Sequence, residues 1–426
     1  MMTIDTNITQ MRNFLREAMS KLRLMRRGGT HVRLPRGNGT ETASKEHAPG
    51  DVWTQPKKKF GLVLQGGGAL GAYEVGAIEY LYEIGMECAI VSGASSGAMN
   101  AVTIAGAKGY APEVLRSLWE KLAVEPPIPF LPPMFKNSWA LLGSPRMYAP
   151  RRDFWNAPNW TYFCDTTPLK RTLEDLLDWE QVRDPEHMRL IVSASGVETG
   201  ETAYFSNFDA EPFRVEHVLA SGSLPPGFPW TMIDGRAYWD GGLTDNTPLK
   251  PVIDNLHGDE PESMPIFIIN VFSSSAPLPT NLRQVVQRMF EMLLQNKLKA
   301  DSETAQRYIR FIKILRQVDE QLAADAPIRK DEEWEAVMNY ALLREIRMID
   351  IKKPDIDSAV DFSHETILRR IRAGHDAAKH CLEQVPLRPA SFVSTPLVVL
   401  SQGMTTLDRL GPVRDDGPKV GIARGE

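Results

Sequence analysis

Three cysteines in 426 residues, Cys88, Cys164 and Cys381, are too few and too scattered for a disulfide scaffold or a four-cysteine zinc site. A reducing compartment, the cytoplasm, is the expected setting. No apolar run approaches the roughly 20 residues a helix needs to cross a bilayer, so no spanning segment is expected. An excess of positive charge is missing as well: 49 Lys and Arg stand against 54 Asp and Glu, a formal net charge of -5. No basic field draws a DNA or RNA backbone onto the whole molecule, and a nucleic-acid partner is not expected. What is present is 42% hydrophobic residues, enough to bury one large core or two moderate ones.

Charge is unevenly spread. Between Met1 and Thr40 eight basic residues face two acidic ones, Asp5 and Glu17. Met11, Phe14, Leu15, Ala18, Met19, Leu22 and Met25 recur there at three- and four-residue intervals, which on a 3.6-residue period gathers them into one stripe flanked by arginines. An amphipathic basic helix of this kind can lie on an anionic membrane, here the inner face of the cell membrane. It can equally pack on a neighbouring subunit of a homo-oligomer or remain a disordered tail. Arginines interrupt its apolar run, so it does not read as a secretory signal. From Gly37 to Pro56 the composition is that of a linker, and 1–57 is taken as arm plus linker.

After the linker, Phe60 to Leu64 reads as a short apolar strand and Ala72 to Tyr82 as a helix, with Gln65-Gly66-Gly67-Gly68-Ala69-Leu70-Gly71 between them. Cys88 to Val91 is a second strand, and Gly93-Ala94-Ser95-Ser96-Gly97 turns directly into an alanine-rich helix. Two βα units in succession predict an α/β fold with a largely parallel sheet, which the apolar runs Leu190 to Ala194 and Pro265 to Val271 extend. The proline-dense stretch from Pro126 to Pro150, with Phe130, Met134, Phe135 and Trp139, is an irregular apolar flap: a wall or mobile lid over a site on one reading, ordinary core on the other. Beyond Pro279 the periodicity becomes helical. Asp361-Phe362-Ser363 caps a further helix, and Pro396 to Leu400 is an added strand or a docking peptide. The expected divisions are 1–57, a catalytic region 58–275, a helical extension 276–385 and a loosely ordered tail 386–426.

Gly66, Gly68 and Gly71 satisfy the dinucleotide fingerprint GxGxxG. No Lys-Ser or Lys-Thr follows them, which removes the Walker A alternative, and Glu87 is poorly placed to hold a ribose. The segment Gly93 to Gly97 matches GxSxG, the nucleophile elbow. A tight strand-to-helix turn needs small residues two positions to either side of the exposed serine, and Gly93 and Gly97 stand there. Ser95 is therefore the candidate nucleophile. The glycine loop then gains a second use, because unpaired amides at a helix start can stabilise an oxyanion, with Gly67 and Gly68 as the expected donors.

A serine hydroxyl needs a base. Of eight histidines only His187 and His217 lie within the catalytic region with any motif context, and His217, at the start of a helix, reads as structural. The better base is Asp240, where Gly241 and Gly242 permit the sharp turn that brings a carboxylate to the serine.

These elements, together with Ala220-Ser221-Gly222-Ser223-Leu224-Pro225-Pro226-Gly227-Phe228-Pro229 and with Asn246 and Pro248 after Asp240-Gly241-Gly242, stand in an order that resembles the patatin-like phospholipase family over about residues 58 to 275. The resemblance implies a three-layer α/β/α fold, a Ser95–Asp240 dyad in place of a triad, and hydrolysis of lipid acyl esters with neither metal nor cofactor. It also implies a bacterial subgroup carrying a mostly helical C-terminal extension. Family members often carry a basic residue in the glycine loop where this chain has Leu70. The competing readings are a noncatalytic membrane-associated scaffold and a dinucleotide-binding oxidoreductase.

Overall fold

In the computed structural model the first strand, β1 (Lys58–Leu64), enters with two exposed lysines and then five buried residues, the pattern of a strand covered on both faces. The structure describes residues 58–124, 144–257 and 260–272, then 278–282, 284–285, 288–289, 292, 317–323, 325–330, 334, 346–350, 359–384 and 399–400. The basic arm, the linker, most of the proline-rich flap and most of the tail lie outside these residues.

The helix α1 (Ala72–Glu83) follows β1, and Gly85, in the left-handed region at φ 78°, turns the chain into β2 (Met86–Gly93). Next come α2 (Ser96–Ala105) and α3 (Ala111–Leu122). A short antiparallel pair, β3 (Ala149–Pro150) and β4 (Cys164–Asp165), closes an excursion spanning 151–163. Strands β5 (Arg189–Gly196), β6 (Thr202–Ser206), β7 (Thr231–Ile233), β8 (Arg236–Asp240) and β9 (Ile266–Asn270) complete the central region, with α4 (Val215–Ser221) between β6 and β7.

With two further strands from the C-terminal region, β10 (Ile346–Asp350) and β11 (Val399–Leu400), the main sheet runs β11-β10-β9-β1-β2-β5-β8-β7, with β6 also pairing β5. Its centre is parallel, as the two βα units predict, while β5, β6, β8 and β7 pair antiparallel at one edge. The sheet is therefore mixed. On one face Phe60, Leu62, Leu64, Val91, Leu190, Phe267 and Ile269 pack against the helices, with Trp119 fully buried among them. On the other, Val63, Ile90, Ile191, Ile266, Ile268 and Met348 bury against Val252 and Met264. Apolar cover on both sides is what makes three layers.

The C-terminal extension is woven into this core. β10 (Ile346–Asp350) pairs with β9, and β11 (Val399–Leu400) with β10, so Val399 and Leu400 take the added-strand role. The helix α5 (His364–Gln384) crosses α1 so closely that a Cβ on Gly76 would stand 1.7 Å from the Ile371 carbonyl oxygen, and one on Gly374 would stand 1.8 Å from that of Tyr73. Only glycine permits this approach of two backbones. All these elements belong to one unit, Pro56–Glu426. Of the helical stripe expected after Pro279, Leu282, Val285 and Met289 are exposed, and its remaining apolar positions lie outside the described residues.

Candidate active site

Ser95 sits at the turn between β2 and α2 with φ 53° and ψ −120°, a conformation that non-glycine residues rarely adopt. The glycines around it are sterically required. A Cβ on Gly93 would lie 2.4 Å from the Gly97 carbonyl oxygen, and one on Gly97 would lie 2.5 Å from that of Leu64 at the end of β1. The Ser95 N–H donates to Ser221 Oγ at 3.0 Å, tying the elbow to the end of α4.

Asp240 reaches the same place from the antiparallel edge. Gly93 of β2 pairs with Val192 of β5, and Asp240 of β8 pairs with Ala194, so the two registers set elbow and carboxylate at nearly one level on either side of β5. Behind Asp240 the turn must be glycine, because a Cβ on Gly241 would lie 2.3 Å from the Ser193 carbonyl oxygen. The backbone of Asp240 is pinned on both sides: its N–H donates to the Ser223 carbonyl at 3.0 Å, and its own carbonyl accepts from Ser195 Oγ at 2.7 Å.

The Asp240 carboxyl is 2% exposed. Oδ1 accepts from the Gly242 N–H at 2.7 Å, whereas Oδ2 is buried without a well-formed hydrogen bond. Burial pushes its pKa up to about 7, against the opposing pull of the Ser95 hydroxyl and the Gly242 amide. The serine thus comes near enough to favour the carboxylate, but the contact falls short of a full hydrogen bond. Such looseness is common in an unliganded acid-base pair.

The glycine loop passes directly over the elbow. A Cβ on Gly66 would lie 2.5 Å from Asn246 Oδ1 and 2.8 Å from Ser95 Cβ, and one on Gly71 would lie 2.8 Å from Ser96 Cβ. The two amides expected as oxyanion donors differ. Gly67 N–H is engaged, donating to Ser96 Oγ at 3.0 Å, because the hydroxyl of the residue after Ser95 reaches back under the loop. Gly68, in the left-handed region at φ 57°, has no acceptor for its N–H among the described residues. The next amide, Ala69 N–H, donates at 2.7 Å to the Ala359 carbonyl, which stands over the loop just before α5. The helix start that a dinucleotide pyrophosphate would need is thereby taken up by the chain's own C-terminal region.

Asn246, which the motifs include, and several residues that they do not announce hold this arrangement. Asn246 Nδ2 donates to the Gly66 carbonyl at 3.0 Å. Gln65 donates through Nε2 to Thr247 Oγ1 at 2.8 Å and accepts through Oε1 from Val271 N–H at 3.0 Å. Beneath the loop, fully buried Glu74 accepts from Gln65 N–H and from Asn100 Nδ2, both at 2.7 Å, and Asn100 Oδ1 accepts from Trp119 Nε1 at 2.7 Å. Burial raises the Glu74 pKa well above the usual carboxylate range. The one sequence signal for this network is an asparagine inside a helix of otherwise small and apolar residues, Ser96–Ala105, since Glu74 is only one of three glutamates in its own helix.

The histidines lie elsewhere. His217 is buried, stacked on Phe205 at 4.6 Å, and accepts through Nδ1 from Arg214 N–H; burial lowers its pKa to about 4, in keeping with a structural role. His187 is exposed beside Gln181. Among the described residues no group of His, Cys, Asp or Glu is arranged to hold a metal ion, and the three cysteines are free thiols. No described helix is long and apolar enough to cross a membrane.

Comparison with known proteins gives the same frame. Residues 62–253, which include both Ser95 and Asp240, match the family model for patatin-like phospholipases. No curated protein matches the chain. Similar solved structures include VipD from Legionella pneumophila, with 17% identity, 77% of this chain and 67% of that chain covered, and a TM-score of 0.35. The ExoU-SpcU complex from Pseudomonas aeruginosa is another, at 14% identity, 79% and 81% coverage and a TM-score of 0.30. Over residues 62–253 the chain is similar to the patatin-like phospholipases, a family of serine hydrolases that act on lipid esters through a Ser-Asp dyad.

Proposed function

We propose that Ser95 and Asp240 are this chain's dyad and that it hydrolyses acyl esters of lipids, of the phospholipase A or lysophospholipase type. The observation that carries this reading is the meeting, over β5, of a serine strained at φ 53° with a buried carboxyl whose second oxygen has no well-formed hydrogen bond. Asp240 takes the proton from Ser95 Oγ as that oxygen adds to the ester carbonyl. The carbonyl oxygen gains a full negative charge, to which the Gly68 N–H is the available donor among the expected pair. Collapse expels the alcohol, which takes up the proton held by Asp240 and leaves an acyl group on Ser95. Water, deprotonated by the same carboxylate, then releases the fatty acid and restores both residues.

The test is separate replacement, Ser95→Ala and Asp240→Asn, with hydrolysis of a soluble p-nitrophenyl ester and of phospholipid vesicles as readouts, alongside labelling by a fluorophosphonate. Each variant is expected to lose activity by about 10³-fold or more, and Ser95→Ala to lose the label. Near-normal turnover by either folded variant would overturn the dyad. The runner-up, a membrane-associated scaffold, predicts vesicle binding with no label at all.

In this reading the basic arm between Met1 and Arg27 is a peripheral contact with anionic lipid, supported by its eight cations against two carboxylates up to Thr40. Its deletion should weaken binding to anionic vesicles while sparing turnover of the soluble ester.

A further inference from the structure

The excursion 151–163 spends apolar surface in a way that folding does not explain. Trp155 is 86% exposed, Phe154 70% and Phe163 55%, all within one 13-residue loop held shut at its base by the β3–β4 pair. The loop is nevertheless well built. Arg151 lies over the rings of Trp160, at 5.0 Å, and Tyr162, at 4.7 Å, while its guanidinium is paired with Asp153. Phe154 sits 5.8 Å from Trp160. A defined loop that holds large aromatic side chains in water is shaped to meet something.

Its position and charge say what. Phe163 N–H donates to the Pro226 carbonyl at 3.0 Å, and Cys164 N–H to that of Gly227 at 2.9 Å. Pro226 and Gly227 belong to the segment whose start, Ser221 and Ser223, accepts the amides of Ser95 and Asp240. The aromatic loop is thus hydrogen-bonded to the strip of chain that frames the dyad, and Trp230 and Met232, at the far end of that strip, are exposed as well. From Ser144 to Arg171 five cations meet only two carboxylates, in a protein that is acidic overall. Of these, Arg146, Arg152 and Arg171 are exposed. Aromatic rings mixed with arginines match the boundary between headgroups and acyl chains of an anionic bilayer, where the ring enters the apolar layer and the cation stays at the phosphates.

We infer that loop 151–163 is the docking surface by which the mouth of the active site settles on an anionic lipid bilayer, with Phe154, Trp155 and Phe163 entering the membrane and Arg152 pairing with lipid phosphate. This rests on the lipid-ester reading above. It assigns to the catalytic region a membrane contact separate from that of the N-terminal arm.

The experiment uses the full chain in the Ser95→Ala background, so that binding is read without hydrolysis. An environment-sensitive fluorophore is attached through Trp155→Cys, with Cys164→Ser removing the half-buried native thiol; Cys88 and Cys381 are buried. Vesicles of phosphatidylcholine with 30% phosphatidylglycerol, a composition of about that anionic content being enough to attract basic residues, should shift the emission to the blue, and pure phosphatidylcholine should do so less. Without a label, the double variant Phe154→Ser and Trp155→Ser should bind the anionic vesicles on the order of tenfold more weakly. Its melting temperature should fall little, since Trp155 stands in solvent and Phe154 gives up only its ring contact with Trp160. Unchanged binding by that variant overturns the docking surface, as does an emission that ignores vesicles. An emission that shifts with protein concentration alone overturns it in favour of self-association. None of these results bears on whether Ser95 and Asp240 hydrolyse esters, which the soluble substrate tests separately.

Discussion

Two buried carboxyls, Glu74 under the glycine loop and Asp240 beside Ser95, share the same chemistry and a raised pKa, yet their surroundings make them opposites. Around Glu74 the accounts are closed: each oxygen accepts a hydrogen bond at 2.7 Å, from Gln65 N–H and from Asn100 Nδ2. Around Asp240 one oxygen is held by Gly242 N–H, and the other, buried, has no well-formed partner. A satisfied buried carboxyl stiffens the loop it supports. An unsatisfied one is a store of basicity, because a proton arriving from Ser95 relieves the cost of burying its charge. The comparison teaches that burial and a raised pKa alone do not tell the two carboxyls apart, whereas the count of hydrogen bonds does, and it is the under-bonded one that the proposed dyad uses.

The largest expected effect breaks the symmetry in activity. Asp240→Asn should lower kcat/KM by about 10³-fold or more while the protein stays folded. Stability should then move the other way. The folded pKa of about 7 lies above the unfolded value of 3.8, so ionised Asp240 costs the folded state nothing below pH 3.8 and its full penalty above pH 7. That penalty is on the order of 4 kcal/mol, and Asp240→Asn removes it. Thermal melts should show the variant above the parent at pH 8, with the difference closing toward pH 4. A variant less stable than the parent at pH 8 would contradict the raised pKa.

Glu74→Gln sharpens the contrast. An amide cannot accept at both ends, so a donor is turned toward Gln65 N–H or Asn100 Nδ2, at a cost of about 1–3 kcal/mol. Urea melts should place this variant below the parent, with activity falling only as far as the loop loosens. The pH-rate profile is a third handle: kcat/KM for a soluble ester should rise with pH on an acid limb near pH 7, because the base must be ionised before it can take the serine proton. A limb near pH 4 would mean that the base is a solvated carboxylate, not this one. The smallest effect is expected from Asn246→Ala, which frees the Gly66 carbonyl from its 3.0 Å hydrogen bond. About 1 kcal/mol of stability and a roughly tenfold loss in kcat should follow, read by melting and by steady-state kinetics.

How much of this was legible in the chain depends on whether a residue's task is local. Gly93, Ser95 and Gly97 are readable because the elbow pattern spans five residues and the 2.4 Å approach of Gly93 to the Gly97 carbonyl lies within it, although the 2.5 Å approach of Gly97 is to Leu64 on the preceding strand. Asp240 with Gly241 and Gly242 is readable as a carboxylate before a sharp turn, while the carbonyl that makes Gly241 obligatory belongs to Ser193, 48 residues away. The parallel centre of the sheet also follows from its βα units, but the antiparallel edge carrying β8 does not, although it is that edge which lifts Asp240 to the elbow. The expectation that both Gly67 and Gly68 amides would be open meets Ser96 Oγ, a partner 29 residues from Gly67, which spacing does not foretell.

The amino-acid order by itself determined the elements whose physics is short-ranged: strands covered on both faces, turns that only glycine can make, and a serine and an aspartate each delivered at the end of a strand. Tertiary structure alone decided their relations, since those depend on groups far apart in the chain. Asn246 meets Gly66 across 180 residues, Gln65 meets Val271 across 206, and Ala359 comes back from the C-terminal region to cap Ala69. A hydrogen bond or a close backbone approach is a condition on distance in space, and the chain records such a condition only where neighbours in sequence must also be neighbours in the fold.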